Sequence, residues 1–238
     1  MSSPAEHEHL DRIAADSWYG RGVNARAVAY SFRVLTRHLR GESVLELGPA
    51  EGLMTELLAP VVPRLTVVEG AARFCEDLRR RFPEVEVVHS LFEDFRPAEA
   101  FDTIILGHVL EHVEDPVAIL GSSASWLKPA GRLLAAVPNA RSLHRQAAVI
   151  MGLLPFEGAM NEADHHHGHR RIFNPETFRQ VFLEAGLRLL VFGGYWLKPV
   201  SNQQIEAHWT PEMLEAFMQL GERYPDVAGE IYIVAERH

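Results

Sequence analysis

Ser43-Val-Leu-Glu-Leu-Gly-Pro-Ala-Glu-Gly52 is the stretch that decides how this chain is read. Its first five residues form a short apolar run of strand length, broken at Gly48, and a helical pattern follows from about Gly52 to Leu58. A strand that turns through glycines into a helix lets the backbone approach a ligand closely, and the helix start directs free N–H groups toward it. The spacing is G-x-x-x-G, which lacks the third glycine of the dinucleotide fingerprint, and Glu46 lies two residues before Gly48. A carboxylate there disfavours phosphate and suits a ligand carrying ammonium or sulfonium charge.

Outward from this stretch, strand and helix signals alternate. Leu65–Glu69 reads as a second strand, followed by a helix near Ala71–Phe82 that Pro83 stops. Val85–His89 and Phe101–Leu106 read as the third and fourth strands; the latter is apolar enough to be buried on both faces. Asp115-Pro116 is a helix start, because Asp caps free amides and Pro at the first helical position loses no hydrogen bond. That helix runs to about Leu127, and Lys128-Pro-Ala-Gly131 turns the chain into a fifth strand at Arg132–Val137. Asn174-Pro175 opens another helix, ending at Gly186, before strands at Leu187–Phe192 and Glu230–Ala235. Interleaved strands and helices of this kind make one open, mostly parallel α/β sheet. Residues 1–40 read as a helical cap, and residues 138–173 and 195–228 as long excursions, the latter with a helix capped at Thr210. Excursions of that length in compact domains commonly serve as lids or binding elements.

The 238 residues fit a single domain, and 32 acidic against 23 basic residues leave a net charge of −9. That balance argues against a protein held on nucleic acid by phosphate contacts. The N-terminus has no apolar targeting core and no stretch is long enough to span a bilayer, so a cytoplasmic protein without a membrane partner is expected. The single cysteine, Cys75, excludes an intramolecular disulfide. Histidine is over-represented at 13, with four between His165 and His169.

With these elements in order, the chain resembles the class I S-adenosylmethionine-dependent methyltransferases over roughly residues 43–193. The resemblance is carried by ELGPAEG (46–52), VVEG (67–70), FDTIILGHVLEHVEDP (101–116) and LKPAGRLLAAVPN (127–139). It implies a Rossmann-like seven-stranded sheet with an antiparallel last strand, helices on both faces and helical lid insertions, with residues 41–137 as the cofactor-binding core. It also implies that Gly48 and Gly52 lie against the methionyl part of S-adenosylmethionine, that Glu46 anchors nearby, and that Glu69 holds the ribose. Leu91 and Phe92 are placed to sandwich the adenine, although many relatives carry an Asp where Leu91 stands. Gly107, at the end of the fourth strand, and Tyr19, as a lid, complete the expected cofactor set.

Methyl transfer from a sulfonium is an in-line displacement, so the protein must align acceptor and methyl, exclude water and leave the acceptor a free lone pair. A hydroxyl acceptor usually needs a base, and His is suited to that at neutral pH. His108, Glu111 and His112 follow the fourth strand, at the sheet edge where open α/β folds bind ligands. Their spacing puts them on one face if Val109–Val113 is a helical turn, and two imidazoles with a carboxylate can hold a divalent metal. The segment resembles that of ubiquinone-pathway O-methyltransferases, which carry an acid where His108 stands. A second candidate is Asp164-His165-His-His-Gly-His169-Arg170-Arg171, where His169 is a possible base and Arg170 and Arg171 can bind an anionic substrate group. Trp18, Tyr195 and Lys198 bring aromatic and cationic groups to the other excursions as candidate substrate contacts. The catalytic candidates are therefore His108, His112 and His169, with His108, Glu111 and His112 as an alternative metal set.

The expected activity is methyl transfer to an O or N atom of a small metabolite, in natural-product or sugar tailoring. A methyltransferase-like binding protein without catalysis is the rival from another class, and the intact Glu46, Gly48, Gly52 and Glu69 speak against it.

Overall fold

The computed structural model describes Leu10 and residues 20–238. Seven strands form one sheet: β1 (Ser43–Leu47), β2 (Arg64–Glu69), β3 (Glu86–His89), β4 (Phe101–Gly107), β5 (Leu127–Pro138), β6 (Leu187–Tyr195) and β7 (Glu230–Arg237). Their order is β3-β2-β1-β4-β5-β7-β6, and β7 runs antiparallel to both β5 and β6. This is the Rossmann-like sheet with an antiparallel last strand that the motifs implied.

The apolar runs of the central strands are explained by cover on both faces. Leu45, Leu47, Ile104, Leu106, Leu133, Ala135, Ile231 and Ile233 face one core with α4 (Pro116–Ser125) and α7 (Pro175–Glu184), where Phe178 and Phe182 are fully buried. The alternate residues Val44, Val67, Ile105, Leu134, Tyr232 and Val234 face a second core with α1 (Gly22–Leu35), α2 (Leu53–Leu58) and α3 (Ala72–Arg81). Caps stop and start these helices as their sequences require. Asp115 accepts from the Ala118 N–H at 2.9 Å, and Asn174 and Thr177 form a capping box. The excursion after β5 carries α5 (Leu143–Ile150) and α6 (Glu162–His166); the one after β6 carries α8 (Asn202–His208) and α9 (Pro211–Arg223), capped by Thr210.

The boundary that differs most from expectation is the start of β5. β5 begins at Leu127, and Lys128-Pro-Ala-Gly131 lies inside it as an irregularity of register between the pairs Phe101–Leu127 and Thr103–Arg132. Ala130 takes a left-handed φ of 60°, and a Cβ on Gly131 would lie 3.0–3.1 Å from three carbonyl oxygens, so the turn residues bulge the strand instead of preceding it. Among the described residues, no helix is long and apolar enough to cross a membrane.

Candidate active site

The turn after β1 is shaped by backbone conformations that favour glycine. Gly48 and Gly52 have φ of 66° and 76°, and the Gly48 N–H donates to Val68 O at 2.9 Å, tying the turn to β2. Beneath it, Glu46 accepts from Thr55 Oγ1 at 2.7 Å, and burial pushes its carboxyl up to about 8. Glu69, at the end of β2, accepts from the N–H groups of Ala71 and Ala50 at 2.8 and 3.1 Å. Burial raises its pKa, and those N–H groups oppose the rise.

A cavity of about 480 Å³ opens over the carboxyl ends of β1, β2 and β4. Its walls include Glu46, Gly48, Glu69, Leu91, Phe92 and Gly107 at one end. His108, His112, His167 and Arg170 line the other, and Val28 and Ser31 of α1 line it too. Gly52 caps α2 just behind, where a Cβ would strike Leu78 at 2.6 Å. Trp18 and Tyr19 lie outside the described residues, so the N-terminal wall is represented by Leu10.

At the far end, residues 109–113 form a tight turn, with the His112 N–H donating to Val109 O, and not a helix. The helical turn expected to align His108, Glu111 and His112 is absent, yet Glu111 Oε1 still lies 3.3 Å from His108 Nδ1 and 3.9 Å from His112 Nε2. Among the described residues, the set whose ligand atoms lie within 4.8 Å of one another is Glu111, His112 and His169. His108 stands beside it, with Nδ1 3.3 Å from Glu111 Oε1 and Nε2 3.9 Å from Glu230 Oε2. Burial pulls the His108 imidazole down, but the charge of Glu230 and the contact with Glu111 outweigh it and push it up to about 9. Burial wins at His112, lowering it to about 4, and so leaves this ring neutral at pH 7. At Glu111 burial is outweighed by His108 and by the charges of His112 and His169, and the carboxyl falls to about 2.

Several sequence candidates have other occupations. His169 packs behind His112, ring centroids 4.8 Å apart, with Nδ1 3.5 Å from Asp164; the member of the histidine run that lines the cavity is His167. Arg171 does not face the cavity: its guanidinium donates to the carbonyls of Leu110, Val113 and Glu114. Arg170 joins it, through its N–H to Glu111 O and its Nε to His112 O, both at 2.8 Å, while also lining the cavity. These arginines fasten the turn that carries Glu111 and His112. Tyr195 is fully buried against Tyr30, and Lys198 lies over Trp196; neither lines the cavity, because this segment plugs the sheet edge. Sequence reading missed Glu230, whose signal was one acid heading the apolar run Ile231–Ala235. It also missed Arg145, which is buried and donates to Glu157 O, Ala159 O and Asp164.

Comparison with known proteins agrees with this architecture. Residues 19–191 match a family model described as a methyltransferase domain. A ubiquinone biosynthesis O-methyltransferase of Xanthomonas euvesicatoria pv. vesicatoria is 29% identical over 219 residues, covering 85% of this chain and 89% of the relative. One from Methylocella silvestris is 26% identical over 238 residues, covering 87% and 90%. Among solved structures, the N-methyltransferase NodS of Bradyrhizobium japonicum WM9, in complex with S-adenosyl-L-homocysteine, superposes with a TM-score of 0.62 at 18% identity, covering 97% of each chain. The CcbJ methyltransferase of Streptomyces caelestis gives 0.64 at 15%, covering 98% of each. The solved structures share the fold, the family model spans the strands that build the cavity, and on those grounds the chain belongs to the methyltransferase domain family, as a class I S-adenosylmethionine-dependent methyltransferase.

Proposed function

We propose that this enzyme transfers the methyl group of S-adenosylmethionine to an oxygen or nitrogen atom of a small metabolite, in natural-product or sugar tailoring. The observation that carries the reading is Gly107. It lies on the cavity wall between the glycine turn and the imidazoles, and a Cβ there would meet nothing within 4 Å, so the space beside it is open to a ligand. The donor set fits the cofactor around that point: Glu69 for ribose hydroxyls, Leu91 and Phe92 for the faces of adenine, Gly48 for the methionyl part, with Gly52 shaping the turn from behind and not lining the cavity as expected, and Glu46 as the nearby acid. When bound, the cofactor supplies an electrophilic methyl group on a sulfonium.

The remaining work falls to residues of this chain. The cavity walls align the acceptor and keep water out. His112 lines the cavity with a ring neutral at pH 7 and so has a lone pair for the proton of an acceptor hydroxyl, and the Glu111 carboxylate 3.9 Å away strengthens it as a base against the effect of burial, whereas an amine acceptor needs no base. The relatives named for O-methylation support oxygen, and the acidic balance of the chain supports a small acceptor over nucleic acid. Isothermal titration with S-adenosylhomocysteine tests the cofactor half; no binding ends the reading. Screening phenols, carboxylates and amines for release of S-adenosylhomocysteine supplies an acceptor. With it, His112→Ala is expected to lower kcat by ~10²-fold, with cofactor affinity unchanged within about threefold.

The mutual reach of Glu111, His112 and His169 favours a second reading, in which a divalent ion held by these three assists O-methylation. Loss of turnover in chelator, with recovery on adding magnesium or zinc, would select it.

A further inference from the structure

One buried acid has no part in this chemistry so far. Glu230 opens β7, whose antiparallel register sets it between Pro138 at the end of β5 and Tyr195 at the end of β6. His108 follows the end of β4, the strand on the far side of β5 from β7, on the same edge of the sheet. Glu230 is 9% exposed, and its Oε2 has no hydrogen-bond partner among the described residues. Leaving a buried acceptor unsatisfied is costly, and more so for a charged group, so such an atom calls for a role.

Its surroundings indicate one. Oε2 of Glu230 lies 3.9 Å from Nε2 of His108, and Oε1 of Glu111 lies 3.3 Å from Nδ1 on the other side of the same ring. Lys198 and His169 are the other oppositely charged or titratable neighbours that act on Glu230. The main chain at His108 is itself constrained, with φ of 58° and its N–H donated to Ala136 O at 2.9 Å. What remains free is rotation of the imidazole, and an acid at each nitrogen opposes that rotation. His108 lines the cavity, whereas neither acid does.

We propose that Glu230 is a positioning residue that, opposite Glu111, holds the His108 ring in one orientation at the acceptor end of the cavity. The proposal rests on reading that end as the acceptor site. A fixed wall preorganises the acceptor, and misplacement by about 1 Å can cost up to ~10²-fold in rate.

A mutant cycle tests it, using an acceptor found among the screened phenols, carboxylates and amines. Glu230→Ala is expected to lower kcat about tenfold, with S-adenosylhomocysteine affinity by calorimetry within about twofold of the parent enzyme. In a His108→Ala background the same change is expected to do almost nothing, under about twofold, because Glu230 acts through that ring. Losses that multiply in the double variant overturn the proposal, as does a wild-type rate in Glu230→Ala. If Glu230→Ala does not fold, Glu230→Gln, which keeps the shape, enters the same cycle with an expected loss of about threefold. A crystal structure of the single variant should show the His108 ring rotated with its main chain unmoved; an unmoved ring counts against positioning. Failure of the methyltransferase reading would appear separately, as no binding of S-adenosylhomocysteine to the parent enzyme.

Discussion

The two ends of the cavity are built by different means. At the β1–β2 end the geometry is set largely by backbone: positive-φ glycines, a turn tied to β2 by the N–H groups of Gly48 and Ala50, and Glu69 held by two amides. At the far end it is buried side chain: His108 between two acids, His112 backed by His169, and a turn fastened by Arg170 and Arg171. Backbone surfaces depend on a few contiguous residues, whereas side-chain surfaces depend on partners supplied by distant segments. The first kind tolerates sequence change around its glycines, and the second can be altered one partner at a time. That difference predicts a clean separation: changes at the backbone end should abolish binding without unfolding, and changes at the side-chain end should loosen local structure without abolishing cofactor binding.

The largest expected effect is at the backbone end. Gly107→Leu introduces a side chain where a Cβ meets nothing within 4 Å and where φ is not positive, so the fold should keep its Tm. The new side chain occupies the cavity, and affinity for S-adenosylhomocysteine should fall by more than ~10³-fold, roughly 4 kcal/mol. Calorimetry beside thermal melting reads both; retained binding would show that the cofactor does not pass Gly107. Next in size is Arg145→Ala at the other end. It leaves Asp164 buried without its cation and frees the carbonyls of Glu157 and Ala159. Breaking a buried pair costs about 3–5 kcal/mol, and at the low end, about 3 kcal/mol, it should appear as local opening. Hydrogen exchange should lose protection across residues 143–169 while β1 and β4 keep theirs, with cofactor affinity within about threefold. Global unfolding instead would mean that the excursion and the sheet are one cooperative unit.

The same contrast explains what the sequence disclosed. The glycine turn, Glu69 and the Asp115 and Asn174 caps are local patterns whose geometry follows from a handful of adjacent residues, so they were legible. The far end was legible only as a list of residue types. His165–His169 looks like four imidazoles at one place, yet consecutive residues point in different directions, so His167 lines the cavity and His169 stands behind His112. Arg171 suggested an anion site, but its hydrogen bonds go to carbonyls of residues 110–114, a pairing about 60 positions distant in the chain. Glu230 reaches His108 only because β7 inserts between β5 and β6, a register that no local pattern encodes.

The smallest effect returns to the backbone end, at Glu46, one of its two buried acids. Glu46 has an ordinary carboxyl value in the unfolded chain, about 4.5, and about 8 when folded. Between those values the native state binds more protons than the unfolded state, so the group's contribution to stability is full below pH 4.5 and is lost as pH rises through 8. At 1.36 kcal/mol per unit the ceiling is roughly 5 kcal/mol. The cavity that Glu46 helps to line admits water, which should reduce the realised figure to about 1–2 kcal/mol. Glu46→Gln can still accept the hydrogen bond of Thr55 but cannot ionise. In urea titrations the variant should match the parent near pH 4.5 and exceed it by that amount above pH 8. A difference that does not change with pH would place the effect in packing against Thr55 and not in the charge. Cofactor binding should narrow the gap above pH 8, because a bound ammonium or sulfonium stabilises the ionised Glu46 of the parent and gives the neutral amide no matching gain.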